Sequence, residues 1–277
     1  FSGFELFVVG LCFKVLLADQ LAPLWASLER IGYEYLSTPL AWLGAVSYSL
    51  QLYFDFSGYS LMAMGLGQML ALPVPRNFDL PYTARSVSEF YRRWHITLGT
   101  WFRDYVYIPL GGSRNGNART VLSLTVVWFF TGLWHGASWK YVAFGFWNGM
   151  VILVSTLLQP VSDKVVTALH IERKSAWYQV FSMLRTFVVV LIGYYFDIAD
   201  GFRAAMGMML KSVTDLHLSQ LRPGAVLEAL PLTRYDWAVL LFGTVVIFTA
   251  SVIQERSQRT IREILDEKCL ALRWAVL

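Results

Sequence analysis

His135 has the sequence setting that most favours chemistry. It ends an apolar run and stands between two glycines in Thr131-Gly-Leu-Trp-His-Gly136, where a backbone or a ligand can approach closely. If this run lies in a bilayer, an ionisable side chain there is costly and is expected to face a cavity or a partner. A neutral imidazole in such a place can accept a proton as a general base. The alternative interpretation is that His135 only caps a helix at the membrane interface.

A second histidine, His95, lies close in sequence to three arginines, Arg92, Arg93 and Arg103. Guanidinium groups form paired hydrogen bonds with phosphates, so these arginines are candidates for binding an anionic donor such as a phosphate-containing coenzyme. The plainer interpretation makes His95 a polar surface residue and the arginines the basic flank of a membrane protein. The remaining two histidines fall in polar segments, where solvation explains them.

Three further polar residues are candidates for supporting roles. Asp55 is a carboxylate inside a long apolar stretch, so it must be paired or face water. Lys14 and Arg185 also lie in apolar stretches and are its candidate partners, and a structural ion pair is favoured over a catalytic role. Asn148 is an amide in a similar position, and its expected role is to bridge neighbouring helices. Asp104 adds a carboxylate beside the arginines.

The composition indicates that a bilayer surrounds the elements that position these residues. Of the 277 residues, 56% are hydrophobic and only 15% are charged, which leaves too few polar groups for the surface of a water-soluble domain. A chain in lipid must satisfy its backbone within helices or a closed barrel, and no alternating strand pattern recurs. The sequence therefore predicts an all-α, polytopic transmembrane helical bundle. Its apolar stretches cover 4–18, 40–66, 120–136, 139–159, 177–198 and 236–253.

Basic residues are concentrated in the segments after the second, fourth and sixth apolar stretches. With six spans these segments share one side of the membrane, which the positive-inside rule makes cytoplasmic. The excess of basic residues behind the net charge of +4 is therefore explained by membrane topology, and it does not indicate nucleic-acid binding. Residues 1–277 are expected to form a single membrane-embedded domain that continues beyond both ends of this sequence. Cys12 and Cys269 have no paired spacing, so neither a disulfide framework nor a metal site is predicted.

Between the second and third apolar stretches, a proline-rich turn precedes a predicted amphipathic helix. Ser86-Val-Ser-Glu89 has the form of a capping box, and aromatic residues continue at helical spacing to about Ile108. This helix is expected to be interfacial or re-entrant. Residues 199–235 are expected to form a second interfacial helix with a loop.

Six plain spans create a difficulty for the two histidines, because they would put His95 and His135 on opposite sides of the membrane. Irregular backbone at membrane depth is tolerated only where it lines a cavity. The two histidines therefore meet only if segment 86–110 re-enters the membrane or if the backbone is broken at Gly132–Gly136 and lines a funnel. A conduit that passes acyl groups outward would instead use both without direct contact.

Five segments of the chain resemble, in order, successive signatures of the membrane-bound O-acyltransferase family. The resemblance is closest to the bacterial alginate O-acetyltransferase branch and is strong over about residues 4–160. Together the segments are specific, whereas the first one alone is a weak signal. They are Tyr53-Phe-Asp-Phe-Ser-Gly-Tyr-Ser60, Pro75-Arg-Asn-Phe-Asp-Leu-Pro-Tyr82, Glu89-Phe-Tyr-Arg-Arg-Trp-His-Ile-Thr-Leu98, Trp101-Phe-Arg-Asp-Tyr-Val-Tyr-Ile-Pro-Leu-Gly-Gly112 and Gly132-Leu-Trp-His-Gly136.

This resemblance implies an acyltransferase with His135 as the catalytic histidine and His95 as the second histidine of the motifs. The expected reaction moves an acetyl group from a cytoplasmic donor, acetyl-CoA or another acyl thioester, toward hydroxyls of an exported polysaccharide such as alginate. No bound cofactor is expected. The implied onward partner is a periplasmic or extracellular acetyltransferase, and the implied location is the bacterial inner membrane. Alginate-type relatives commonly have histidine where this chain has Asn148, and an asparagine cannot act as a base.

Three rival functions stay open from the sequence. A transporter or channel would use Asp55, Lys14, Arg185 and His135 as a proton or ion relay. An acyltransferase with a different acceptor would modify teichoic acid with D-alanine, or would act on peptidoglycan, cellulose or lipid. A scaffold would carry both histidines as inert residues.

Overall fold

In the computed structural model, residues 2–32, 35–221, 232–259 and 261–267 are described, and helices dominate them. Within these residues, strand pairing is limited to one isolated bridge between Phe78 and Trp94. The prediction of an all-α fold is confirmed. The helices are α1 (Ser2–Cys12), α2 (Asp19–Ile31), α3 (Thr38–Met69), α4 (Val87–Arg93), α5 (Ile96–Phe102), α6 (Gly116–His135), α7 (Trp139–Leu157), α8 (Gln159–Ala168), α9 (Ala176–Ile198), α10 (Phe202–Thr214), α11 (Arg234–Ser257) and α12 (Ile261–Asp266).

The six predicted apolar stretches coincide with long helices. A π-helical turn at Phe13–Ala18 joins α1 to α2 without a break, and α3, α6, α7, α9 and α11 match the other five stretches. Among the described residues, four helices are long and apolar enough to cross a bilayer: Ser2–Ile31, Trp139–Leu157, Ala176–Ile198 and Tyr235–Gln254. α3 and α6 are helical where predicted but are less apolar. The chain is therefore a multi-pass membrane protein.

Glycines allow α1 and α3 to pack backbone against backbone. A Cβ atom on Gly10 would lie 2.5 Å from the carbonyl oxygen of Gly58, and one on Gly65 would lie 2.4 Å from that of Gly3. In lipid, apolar side chains gain little from meeting one another, so close backbone contact between small residues is a main source of helix association. This contact fixes α3, which forms one wall of the site described below.

α6 and α7 form a hairpin in which glycines again allow backbone to pack against backbone. A Cβ atom on Gly145 would lie 2.1 Å from the carbonyl oxygen of Trp128, and one on Gly132 would lie 2.4 Å from that of Tyr141. Because the atoms approached belong to the backbone, no side-chain movement could relieve these contacts. The hairpin therefore holds the end of α6, where His135 lies, against the first turn of α7.

The helix predicted after Ser86 begins as expected. The Ser86 hydroxyl accepts a hydrogen bond from the backbone N–H of Glu89 at 3.1 Å. The Glu89 carboxylate accepts from the N–H of Arg85 at 2.8 Å, one residue before the position that a complete capping box would use. The start signal in the sequence is thus correct, and α4 follows it.

The prediction that this helix continues unbroken to about Ile108 is wrong. His95 adopts a left-handed conformation with φ of 46°, which ends α4 and precedes α5 at Ile96. The cause is tertiary. The Asp79 N–H donates to the carbonyl of Arg93 at 2.9 Å, and the N–H of Ile96 donates to the carbonyl of Asn77 at 3.0 Å, so an extended segment binds the backbone on both sides of the break.

The broken segment folds back into the helical bundle. Phe90 of α4 is 1% exposed, and α4 packs against both α7 and α9. Of the two solutions that the sequence offered for bringing the histidines together, re-entry of residues 86–110 agrees with this fold-back and stays a prediction. α6 is continuous to His135, with Gly136 as its C-cap, so within the Gly132–Gly136 region the helix is interrupted only after His135.

The chain divides into two compact units, Phe1–Leu232 and Thr233–Leu277. The first unit contains α1 to α10 and the candidate site. The second unit contains α11 and α12, and α11 begins with a complete capping box formed by Thr233 and Asp236. Of the predicted interfacial segment 199–235, the structure describes α10 and a 3-10 turn at Leu218–Leu221, while residues 222–231 lie outside the described residues. The single-domain prediction concerns the whole chain and stays a prediction.

Candidate active site

A cavity of about 670 Å³ lies among α3, α4, α5, α6, α7 and α9. His95 and His135 both line it, together with Arg92 and Arg103. Most of the remaining lining residues are aromatic or aliphatic. A largely apolar concave site with a few converging polar groups is the usual form of a small-molecule site, and the volume lies in the usual range. The structure therefore brings four of the predicted site residues to one place.

His135 is the last residue of α6 and is accessible from the cavity. Its ring lies 5.0 Å from the ring of Phe144 and 6.2 Å from that of Tyr141, to which it is nearly parallel. Gly136 permits this arrangement, because a Cβ atom there would lie 2.5 Å from the Tyr141 ring. Glycine after the histidine is thus explained by close packing against α7.

His95 is held by its backbone and by aromatic neighbours. The Asn77 side chain accepts hydrogen bonds from the N–H and the hydroxyl of Thr97 at 3.1 and 2.7 Å, which fixes the chain just after the break. The imidazole packs against the Phe56 ring at 4.8 Å and the Trp134 ring at 5.5 Å. Burial, followed by the neighbouring His135, lowers the pKa of His95 to about 4. A histidine with this pKa is neutral at pH 7.

Trp134 connects the two histidines. Its ring lies 5.5 Å from the imidazole of His95 and 5.1 Å from that of His135. The indole is 55% exposed, and it lines the cavity with both of them. The two imidazoles therefore belong to one aromatic-walled site.

The three arginines have different surroundings. Arg92 lines the cavity and makes no side-chain hydrogen bond or ion pair within the part of the chain that the structure describes. Arg103 also lines the cavity, and its guanidinium binds both oxygens of Asp104 at 2.7 and 3.1 Å. Arg93 does not line the cavity. It donates to Thr83 at 3.0 Å and to Glu89 at 2.7 Å in a largely buried ion pair.

The predicted supporting residues Asp55, Asp104 and Asn148 do not line the cavity. Of the two candidate partners of Asp55, Lys14 binds it at 2.6 Å and also binds Asp19 at 3.1 Å. Arg185 instead donates to the carbonyl of Arg85 at 2.8 Å. Asn148 is 1% exposed, and its amide donates to the carbonyl of Phe144 in its own helix at 2.9 Å.

Sequence reasoning missed a carboxylate and several tyrosines in the cavity. Asp197, in the last turn of α9, lines it beside Tyr194 and Tyr91. The Tyr48 hydroxyl donates to Asp197 at 2.7 Å. Tyr194 is 3% exposed, and its hydroxyl has no hydrogen-bond partner among the described residues. Asp197 stands at the end of a predicted span, so the criterion that selected Asp55 also applies to it.

The arrangement of these groups suits acid–base chemistry on an anionic substrate. A neutral imidazole can take a proton from a nucleophile, and a carboxylate in the same cavity can stabilise the resulting positive charge. The Arg92 guanidinium can bind phosphate oxygens directly, whereas Arg103 can do so only by exchanging the Asp104 carboxylate for a phosphate. Much of the wall around these groups is apolar.

Comparisons with known proteins agree with this geometry. The model of the membrane-bound O-acyltransferase family matches residues 4–196. A relative from Azotobacter vinelandii named "Probable alginate O-acetylase" is 37% identical over 93% of this chain and 48% of its own length. A relative of the same name from Pseudomonas aeruginosa is 40% identical over 75% of this chain and 37% of its own length. The peptidoglycan O-acetyltransferase of Helicobacter pylori is 35% identical over 79% of this chain and 41% of its own length.

The chain spans about half the length of these curated relatives, or less. The family match nevertheless covers most of the chain, and it includes the segments that carry both cavity histidines. This chain belongs to the membrane-bound O-acyltransferase family.

Proposed function

We propose that this chain is the acyl-transfer core of a membrane O-acetyltransferase that moves an acetyl group from a thioester donor toward hydroxyls of an exported polysaccharide such as alginate. The observation that carries the proposal is the single cavity lined by His95, His135, Arg92 and Arg103. The names of the relatives favour acetyl as the acyl group and a polysaccharide as the final acceptor.

His135 acts as the general base in this proposal. A hydroxyl oxygen attacks the carbonyl carbon of the thioester while His135 takes the hydroxyl proton, so that a C–O bond forms. The C–S bond then breaks, and the imidazolium returns the proton to the leaving thiolate as a thiol. General-base assistance of this kind contributes on the order of 10² to 10⁴ in rate. His95 lines the same cavity, and its role in this proposal is to orient the donor, to assist the proton transfer or to hold His135.

The donor enters as a substrate, acetyl-CoA or another acyl thioester. Its phosphates are assigned to Arg92 and Arg103 at the cavity. The positive-inside pattern of the sequence favours donor entry from the cytoplasm. The inner membrane is the proposed location, and a periplasmic or extracellular acetyltransferase is the proposed recipient of the acetyl group.

Peptidoglycan is the second candidate acceptor, because one relative is named a peptidoglycan O-acetyltransferase. The chemistry at His135 is the same for both acceptors. The ion-relay alternative has less support, because Lys14 and Asp55 pair with each other away from the cavity.

The experiment that tests this function measures the acetyl ester content of exported polysaccharide in cells that carry the full-length protein. Wild type is compared with His135→Gln and His135→Ala, and the abundance of each in the membrane is determined. Loss of ester at normal abundance is expected. His217→Gln serves as the matched control, because His217 is an exposed histidine outside the cavity. Unchanged ester in both His135 variants would return the relay and scaffold functions to consideration.

A further inference from the structure

Asp197 is the one carboxylate that lines the cavity within the described part of the chain. Family motifs in the sequence do not include it, and it lies about sixty residues after His135. Asp197 is half-buried, and a carboxylate in such a position near the end of a membrane helix is costly unless it has a partner or a function. Its surroundings therefore need an explanation beyond helix packing.

Three hydrogen bonds hold the end of α9, and two of them are made to Asp197. The Tyr48 hydroxyl of α3 donates to its Oδ2 at 2.7 Å. The Lys140 ammonium of α7 donates to the backbone carbonyls of Asp197 and Ala199 at 3.2 and 2.8 Å, where the end of α9 leaves carbonyl groups unpaired. Oδ1 receives no side-chain hydrogen bond from the described residues. One carboxylate oxygen thus has a hydrogen-bond partner, and the other has none among the described residues.

The turn of α7 that holds Asp197 also holds His135. Lys140 binds the end of α9, and the adjacent Tyr141 stacks against the imidazole of His135, with Phe144 one turn further on. Asp197 and His135 line the same cavity. The positions of the two groups are therefore set by one short segment.

We propose that Asp197 is a positioning residue for His135, whose carboxylate stabilises the imidazolium formed when His135 takes the acceptor's proton. This inference rests on the proposed function. No bond is made to Asp197, and the proton stays on the imidazole until the thiolate leaves. A fixed opposite charge in an apolar cavity stabilises the charge that develops in the transition state without having to reorganise. Tyr48 keeps the carboxylate in place.

The rival role for Asp197 is purely structural, as a bridge from α9 to Tyr48 of α3. Asp197→Asn separates the two roles, because an amide oxygen still accepts the Tyr48 hydrogen bond while the charge is removed. A structural bridge predicts unchanged catalysis in this variant. A charge that acts on His135 predicts a loss confined to the chemical step.

The test uses membranes that contain the full-length protein, with acetyl-CoA as the donor, the exported polysaccharide and the cell's periplasmic proteins supplied as acceptor, and thiol release as the readout. For Asp197→Asn we expect kcat to fall on the order of 10²-fold, with KM for acetyl-CoA changed less than about twofold. Tyr48→Phe should lower kcat by roughly tenfold in the same way, since it frees the carboxylate. Asp200→Asn is the matched control, because Asp200 is an exposed carboxylate three residues further on that does not line the cavity.

His135→Gln in the same assay separates failure of this inference from failure of the proposed function. If His135→Gln is inactive and Asp197→Asn keeps the wild-type kcat, the role of Asp197 is overturned and the proposed function stands. If His135→Gln matches wild type, or if wild type releases no thiol from acetyl-CoA or from another acetyl thioester, the proposed function fails and the inference fails with it.

Discussion

Arg92 and Arg93 are adjacent in the sequence but have different surroundings. Arg92 lines the cavity, whereas Arg93 is committed to Thr83 and Glu89. We expect Arg92→Ala to raise KM for the donor about tenfold with little change in kcat, because a charge-assisted hydrogen bond to phosphate contributes roughly 1.5 to 3 kcal/mol. Steady-state kinetics at normal membrane abundance measure this effect. An unchanged KM would remove Arg92 from the donor site.

Arg93→Ala is the variant to compare with Arg92→Ala, because it removes the neighbouring arginine that does not line the cavity. Its removal leaves the Glu89 carboxylate without its main partner in a site where both side chains are less than one-fifth exposed. We expect a loss of about 2 kcal/mol in the free energy of unfolding. A lower midpoint of thermal unfolding in detergent would report it, and KM for the donor in the surviving protein should match wild type. A raised KM with full stability would instead assign Arg93 to donor binding.

The sequence alone identified some of the residues of the candidate site but not others. His135 was identifiable because an imidazole between glycines in an apolar run is costly without a use. The distinction between Arg92 and Arg93 was not predictable, because it depends on Thr83, which lies in another turn of the chain. Asp197 was open to the same argument as Asp55, but its place in the cavity that His135 also lines depends on how α9 packs on α7.

At the scale of elements, the α6–α7 hairpin is the part of the fold that positions His135. Gly145→Ala would force a Cβ atom to within 2.1 Å of the Trp128 carbonyl oxygen, and a backbone atom there cannot move aside. We expect a destabilisation of about 3 kcal/mol, together with loss of acetyl transfer because the end of α6 is displaced. Thermal unfolding and ester content measure the two effects.

The control for this prediction is Gly201→Ala. Gly201 has extended backbone, and a Cβ atom there would meet nothing within 4 Å, so the variant should match wild type. Wild-type stability in Gly145→Ala would show that the two helices separate at little cost, and that their close contact does not hold the site.

Helix positions were largely predictable from hydropathy, whereas the break within segment 86–110 was not. Apolar runs long enough to span a bilayer form helices because lipid leaves the backbone no other partner. The break at His95 depends on backbone hydrogen bonds with Asn77, which accepts, and Asp79, which donates, and both residues belong to a separate proline-rich turn. Local spacing carries no information about such tertiary contacts, so the spacing of aromatic residues indicated one continuous helix.

At the scale of the molecule, the cavity is expected to be the one route that connects the donor with both histidines. Ser88 lines the cavity on the first turn of α4. In a background with Cys12→Ser and Cys269→Ser, we expect Ser88→Cys to be active, to react with a thiol reagent and to lose acetyl transfer once it is modified. The donor should slow the modification because it occupies the same space.

Ser162→Cys is the matched variant for this labelling experiment. Ser162 is an exposed serine of α8 that does not line the cavity, so its modification should leave acetyl transfer unchanged and insensitive to the donor. If modification at position 88 left activity intact, the donor would have to reach the histidines by another path.

The left-handed backbone at His95 has a consequence for the design of mutants at this position. With φ of 46°, most residues that carry a Cβ atom are strained there, and asparagine, aspartate, histidine and glycine are tolerated best. An alanine at position 95 would change the imidazole chemistry and the backbone conformation at once. Asparagine removes the ionisable ring and keeps the permitted conformation, so it is the substitution whose phenotype reports on chemistry alone.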